Sequence, residues 1–297
     1  MKFFITGANG LLGQKLVALL GESNHEVLAT GQGECRILSL ASNIQYQSCD
    51  ITNATDLNKS IDSFKADVVI HTAAMTNVDE CELNPEKCQV VNVEATKNVL
   101  DACESIGCQL IHLSTDFIFD GKEGPYDENG IPNPISVYGK SKLDAEILVQ
   151  KATCPWAIVR TVLVYGISPG LSRTNIILWV KSSLEQGKQI QVVDDQFRTP
   201  TLAEDLAKGC VLIAEQKATG IFNISGKDLL TPFAMANLTA DYFKLDKGLI
   251  TKASAATFTQ PAKRPPRTGF DISKAINRLG YTPLSFEEGI KILESQL

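Results

Sequence analysis

Gly7, Gly10 and Gly13 follow directly on a short apolar run, Lys2–Thr6 (KFFIT), and open a segment with Leu11, Leu12, Leu16, Leu19 and Leu20 at helical spacing. A buried strand that turns through glycines straight into a helix admits few folds, nearly all of them α/β sheets. The physical reason is access. Glycines let the backbone close tightly around an anion, and the first amides of the helix point at it with the positive end of the helix dipole. The turn is therefore expected to hold a pyrophosphate through Gly7, Asn9, Gly10, Leu11, Leu12 and Gly13. Its spacing is G-x-x-G-x-x-G rather than the common G-x-G-x-x-G dinucleotide fingerprint, and a tight turn in some other α/β fold is the competing reading.

The rest of the first half repeats the same unit. His25–Thr30, Ile44–Cys49, Asp67–His71, Gln109–Leu113 and Ala157–Thr161 read as strands; Asp56–Phe64, Pro85–Ile106 and Val137–Lys151 read as helices. Repeated strand–helix units predict a Rossmann-type, doubly wound parallel sheet with helices on both faces. Ligands of such sheets sit beyond the carboxyl ends of the strands, which brings Gly7, Asp50, Ala73, Ser114 and Thr161 to one edge. After residue 161 the rhythm changes, with Pro169, Gly170, Pro200, Gly220, Pro232, Pro261, Pro265 and Pro266 interrupting shorter elements. The expected division is a dinucleotide-binding Rossmann domain over 1–161 and a smaller α/β substrate-binding lobe over 162–297, interleaved with the first.

In NAD-preferring proteins an acidic residue about 20 residues after the glycines binds the adenosine ribose. Here the end of the second strand reads Thr30-Gly31-Gln32-Gly33, and the first basic residue is Arg36. That leans toward NADP(H) over NAD(H), with Glu34 as an opposing charge and an ordinary surface role for Arg36 as the alternative.

Composition excludes several classes. A formal net charge of -6 gives no basic footprint for nucleic acid or an anionic membrane, and no apolar run approaches spanning length. The opening MKFF forms no secretory apolar region, so a cytoplasmic protein is expected. Eight cysteines lie without a C-x-x-C pair, and no metal-site spacing is present, so reduced structural thiols and no metal ligands are expected. His71 and His112 each close an apolar run and read as core positions.

The chemistry lies further on. Tyr138 and Lys142, in YGKSK, share one face of a helix. An ammonium beside a phenol is expected to lower the tyrosine pKa toward working pH, readying Tyr138 to protonate a carbonyl oxygen as hydride reaches its carbon. Thr115, in STDFIFDG, would hold that oxygen.

With these motifs the chain resembles the extended short-chain dehydrogenase/reductase superfamily along nearly its whole length. Within it, HTAAMTNVDECE (71–82), STDFIFDG (114–121), YGKSK (138–142) and RPPRTGFDISKA (264–275) resemble the dTDP-4-dehydrorhamnose reductase family. The resemblance implies a catalytic set of Thr115, Tyr138 and Lys142. Tyr138 and Lys142 also meet the cofactor, Lys142 through the nicotinamide ribose. Asp50 and Ile51 would border the adenine, Ala73 and Ala74 the nicotinamide side, and Asn92 would be the family's supporting asparagine. A nucleotide-sugar substrate would meet Thr115 and Asp116, with Arg198 and Arg264 as diphosphate contacts or, equally, as structural ion pairs. Relatives also imply a divalent cation and leave a homodimer open.

The chain departs from the family at Met75, where an aromatic residue is common, at Leu163, where a Trp is common, and at Arg198, where a Gly is common. Related 4,6-dehydratases follow Thr-Asp with a proton-transferring Glu, where this chain has Phe117. Epimerases share the Tyr and Lys. The β subunit of methionine adenosyltransferase resembles the same family and serves as a partner protein, which leaves a binding subunit without turnover as the alternative from another class.

Overall fold

A computed structural model describes residues 1–170 and 175–297. The first half runs β1 (Lys2–Thr6), α1 (Leu11–Gly21), β2 (Glu26–Gly31), β3 (Ile44–Ser48), α2 (Ala54–Phe64), β4 (Val68–His71), α3 (Val78–Leu83), α4 (Pro85–Gln89), α5 (Ala95–Ile106), β5 (Gln109–Thr115), α6 (Val137–Val149) and β6 (Trp156–Thr161). The second half runs β7 (Val164–Tyr165), α7 (Ile176–Glu185), β8 (Ile190–Val193), β9 (Thr201–Leu202), α8 (Ala203–Glu215), β10 (Gly220–Asn223), α9 (Pro232–Phe243), β11 (Ile250–Ala253), α10 (Ser273–Leu279) and α11 (Phe286–Glu294).

Seven strands form one parallel sheet in the order β3-β2-β1-β4-β5-β6-β10. Alternate strand residues face opposite sides, so β1 feeds two cores. Phe3 and Ile5 pack with Leu16, Val17 and Leu20 of α1 and with Leu206, Ala207 and Cys210 of α8. Phe4 packs on the other face with Leu57 and Ile61 of α2 and Val99 and Leu100 of α5. This is the doubly wound α/β architecture that the sequence predicts.

The winding reverses between β1 and β4, where such sheets open a crevice at the carboxyl edge. Register fixes what meets there: Thr6 lies beside His71, His71 beside His112, and Thr115 beside Thr161.

The expected single helix over 85–106 is instead α4, a π-helical turn at Val90–Glu94, and α5. The wider turn carries buried Asn92 inward. Its Oδ1 accepts from Met75 N at 2.8 Å, and its Nδ2 donates to Met75 O at 3.0 Å and Ser141 Oγ at 3.0 Å. A single side chain thus ties the segment after β4 to α6, an insertion that apolar spacing cannot reveal.

In the second half, β10 returns to the large sheet beside β6, while β7–β9 and β8–β11 pair separately. Two smaller cores pack there, one around Tyr165, Met235 and Phe286, the other around Val180, Val192 and Ala240. All eight cysteines are free; seven are buried and Cys35 is exposed. No helix among the described residues is long and apolar enough to cross a membrane.

Candidate active site at the carboxyl edge of the sheet

The glycine turn sits at the crevice. Gly7 has φ +69°, and a Cβ there would come within 2.7 Å of both Ala73 N and Thr72 Oγ1, so only glycine lets β1 pass so close to the segment after β4. Gly13 packs on Gly7 O and Ala8. The first intrahelical bond of α1 is Gln14 N to Gly10 O at 2.9 Å. The amides of Leu11, Leu12 and Gly13 precede it and belong to the helix's open N-terminal turn. Gly10, the N-cap, brings no side chain to cap them, and the first turn holds no acidic residue. This end of α1 therefore offers donors and positive dipole to an anion, and it fits a pyrophosphate.

Around it, Ala73 and Ala74 follow β4, and Ala73 N donates to Thr6 Oγ1 at 3.3 Å. Asp50 and Ile51 follow β3. Ile51 is buried, and Asp50 accepts from Thr52 N at 2.9 Å and Oγ1 at 2.8 Å, which holds its carboxyl below the usual range. The Asn9 side chain turns away from the anion position and bonds the loop after β2. Arg36 is exposed on that loop.

The candidate reactive groups come together on β5 and α6. Gly139 makes the approach possible: a Cβ there would strike Phe117 O and lie 3.1 Å from Pro134 Cβ. Ser136 caps α6 by accepting from Gly139 N at 3.2 Å. Tyr138 is thereby set against Phe117, edge to face with centroids 5.8 Å apart, with the Thr115 hydroxyl beside it.

Electrostatics here differ from the expectation. Burial raises the Tyr138 pKa, the Thr115 hydroxyl opposes the rise only in part, and nearby Asp116 adds to it. The neighbouring Lys142 does not reverse the rise. The lysine is itself desolvated, and burial brings its pKa down to about 8, with Glu146 and Cys88 pulling the other way. Lys142 Nζ lies 3.3 Å from His112 Nε2, and the His112 ring packs beside His71 with centroids 5.4 Å apart and planes tilted by 35°. Burial and the lysine charge push both imidazoles well below their usual range, to about 3 at His71. His71 bonds Thr6 Oγ1 at 2.8 Å and Thr96 Oγ1 at 3.1 Å. Both histidines are core residues, and His112 also supports the lysine.

Asp116 is buried, and burial raises its pKa against the pull of Arg198. It accepts from Thr115 Oγ1 at 3.1 Å, forms a short bond from Thr268 Oγ1, and lies 3.7 Å from Arg198 Nε. Asp116 thus turns into the protein, where its partners are protein groups.

The two candidate diphosphate arginines are struts. Arg198 is buried and donates to Pro265 O at 2.6 Å, Phe197 O at 2.8 Å and Pro266 O at 3.3 Å. Arg264 donates to Asp79 at 2.8 and 2.7 Å and to Ala262 O at 2.8 Å. Together they pin the 264–268 segment over the site. Desolvated guanidinium donors need partners, and here carbonyls and a carboxylate supply them. The partners Asp79, Thr268 and His112 escaped the sequence reading because each lies far along the chain from the group it serves; only the fold joins them. Among the described residues no group of three or more His, Cys, Asp or Glu side chains is placed to hold a metal ion.

A probable low-salt glycan biosynthesis reductase from Haloferax volcanii is 32% identical over 297 residues, covering 99% of this chain and 98% of that protein. The β subunit of methionine adenosyltransferase 2 from Mus musculus is 30% identical over 298 residues, covering 98% of this chain and 86% of its own. Among solved structures, the dTDP-4-dehydrorhamnose reductase of Bacillus anthracis in complex with NADP superposes with a TM-score of 0.85 at 26% identity, covering 100% of this chain and 99% of the other. Residues 1–296 match the family described as the RmlD substrate binding domain, and the chain belongs to that family, within the extended short-chain dehydrogenase/reductases.

Proposed function

We propose that this chain is an NAD(P)H-dependent reductase of a 4-keto nucleotide sugar, with dTDP-4-dehydrorhamnose as the first substrate to test and NADPH as the preferred donor. The observation that carries the reading is a buried Tyr138 phenol beside the Thr115 hydroxyl, with Lys142 one helical turn away. A pKa raised by burial keeps the phenol protonated at neutral pH, and a reduction needs a proton donor at this place. A bound nicotinamide would supply the hydride. Thr115 would orient the keto oxygen, Tyr138 would give it a proton, and Lys142 would hold the nicotinamide ribose. Gly7, Gly10 and Gly13, with the open amides of α1, would carry the pyrophosphate. Asp50 and Ile51 would border the adenine, and Ala73 and Ala74 the nicotinamide.

The division into a cofactor domain over 1–161 and a substrate lobe over 162–297 belongs to the same proposal, as do a cytoplasmic location and a homodimer. Phe117 at the position of a proton-transferring Glu disfavours dehydration. The likeness to the methionine adenosyltransferase β subunit favours one second reading, a cofactor-loaded partner subunit.

The test is oxidation of NADPH and of NADH at 340 nm with dTDP-4-dehydrorhamnose, alongside cofactor binding without sugar. Turnover supports the reductase reading. Tight binding without turnover selects the partner-subunit reading or another keto sugar. Tyr138→Phe should lose about 10²–10⁴-fold in kcat, roughly 3–5 kcal/mol of transition-state stabilisation, with cofactor affinity nearly unchanged.

A further inference from the structure

The loop after β2, Gln32–Arg36, is exposed along its length and lies outside helix and strand. Side chains nevertheless fix it from beneath: Ser48 Oγ accepts from Gly33 N at 3.2 Å, and two others make several bonds each. Asn9, on the glycine turn, donates through Nδ2 to Gln32 O at 3.3 Å, Glu34 O at 3.0 Å and Tyr46 Oη at 2.9 Å, and its Oδ1 accepts from Arg36 N at 2.9 Å. Tyr46, on β3 opposite Ala29, shares its O–H between Gly33 O at 3.0 Å and Gly31 O at 3.2 Å. Burial raises the Tyr46 pKa and so keeps that hydrogen in place. Gly31 leaves room for the pair: a Cβ there would lie 3.2 Å from Asn9 Nδ2 and 3.3 Å from Tyr46 Oη. Apart from the bond between them and the one to Gly31 O at the end of β2, the amide and phenol thus spend their hydrogen bonds on backbone groups of one exposed loop, an arrangement that fixes position rather than adding core.

What the loop presents is Arg36. Its backbone is held by Asn9, and its aliphatic stem runs alongside Gly170, where a Cβ would lie 3.6 Å from Arg36 Cδ. The neighbouring Pro169 O accepts from Gln14 Nε2 at 3.0 Å, which anchors this second loop to the first turns of α1. Among the described residues Arg36 has no carboxylate within ion-pair distance. A guanidinium held near the glycine turn by a rigid support, without an internal counter-ion, suits a doubly charged phosphate.

We propose that Tyr46 and Asn9 are specificity-determining positioning residues, which hold the Gln32–Arg36 loop so that Arg36 receives the 2′-phosphate of NADP(H). The inference rests on the NADP(H) preference proposed above. Pre-ordering the loop removes an entropic cost that binding would otherwise bear, and only the phosphorylated cofactor gains from it.

The experiment measures cofactor dissociation constants without any sugar, by fluorescence titration of wild type, Tyr46→Phe, Arg36→Gln and the double variant with NADPH and NADH. Removing a charged contact should weaken NADPH about tenfold or more in Arg36→Gln, and loss of the clamp should weaken it about five- to tenfold in Tyr46→Phe, with NADH within about twofold in each. Because the clamp acts through Arg36, the double variant should be little weaker than Arg36→Gln alone. Cys35, the exposed cysteine, gives an independent readout. NADPH should slow its alkylation by N-ethylmaleimide more than NADH does, and Tyr46→Phe should abolish that difference.

Equal weakening of both cofactors in Tyr46→Phe, no weakening, additive effects with Arg36→Gln, or an Arg36→Gln variant that binds NADPH normally would each overturn the proposal. A wild type that binds neither cofactor would overturn it together with the nicotinamide reading. Discriminating binding with no sugar turnover would refute the reductase reading alone and leave this inference standing.

Discussion

Glu146→Gln tests the electrostatic frame on which the reactive helix rests. Glu146 and Arg160 form a bidentate pair, Oε1 to Nε at 3.0 Å and Oε2 to Nη2 at 2.7 Å, with side-chain exposures of 0% and 3%. Such pairs add little net stability over apolar replacements, yet removing one partner leaves an uncompensated buried charge and costs about 3–5 kcal/mol. Glutamine keeps one acceptor, and Arg160 retains Glu128 O at 3.2 Å and the Phe119 face at 5.5 Å. The expected loss is therefore about 3 kcal/mol, a large share of a typical total of about 5–15 kcal/mol. Urea unfolding at pH 7 measures it. A second effect reaches the chemistry, because the Glu146 charge raises the pKa of Lys142, one turn earlier on α6. In the variant that pKa falls below about 8, so the alkaline limb of kcat moves to lower pH. A stability loss under about 1 kcal/mol, or an unmoved alkaline limb, would refute the reasoning. The apolar double variant Glu146→Leu/Arg160→Met should lose less stability than Glu146→Gln alone.

Two other perturbations follow from the same geometry. Gly139→Ala should displace the start of α6 from Phe117 O, lowering kcat at least tenfold and stability by about 1–3 kcal/mol through overpacking, read by kinetics and urea melts; unchanged kcat would mean the helix needs no such close approach. Lys142 has a folded pKa depressed to about 8 from 10.5, so between those values the unfolded chain binds more protons and its contribution to stability rises with pH. Subtracting the Lys142→Met profile from that of wild type should show this rise above pH 8, and a flat difference would contradict it.

Much of the crevice was legible in the sequence because its signals are local. Gly7, Gly10 and Gly13 mark a backbone conformation, and Tyr138 and Lys142 sit one turn apart wherever their helix goes. Continuous apolar runs likewise placed β1, β4 and β5, whose residues are buried on both faces of the sheet. Long-range pairing was not legible. Arg264 reads equally as a diphosphate contact or a structural ion pair from sequence, and only the fold supplies its partner Asp79, far upstream. Tyr138 read as a lowered phenol until the fold showed how fully Met75, Cys81 and Cys88 enclose it, so that desolvation outweighs a neighbouring charge. The π turn at Val90–Glu94 hid for a related reason: its cause is the contact of Asn92 with Met75 and Ser141, not its own apolar spacing.

The return of β10 to the large sheet has a consequence for synthesis. Until Gly220–Asn223 emerges, β6 presents a bare edge of Ala157, Ile158 and Val159, all buried in the finished protein. At translation rates of about 5–20 residues per second, the chain from 162 to 219 keeps that edge open for several seconds. An unpaired parallel edge is a template for pairing with another nascent chain. The last strand thus acts as a closing seam, and a truncation before residue 220 should produce insoluble chains rather than a soluble cofactor-binding half.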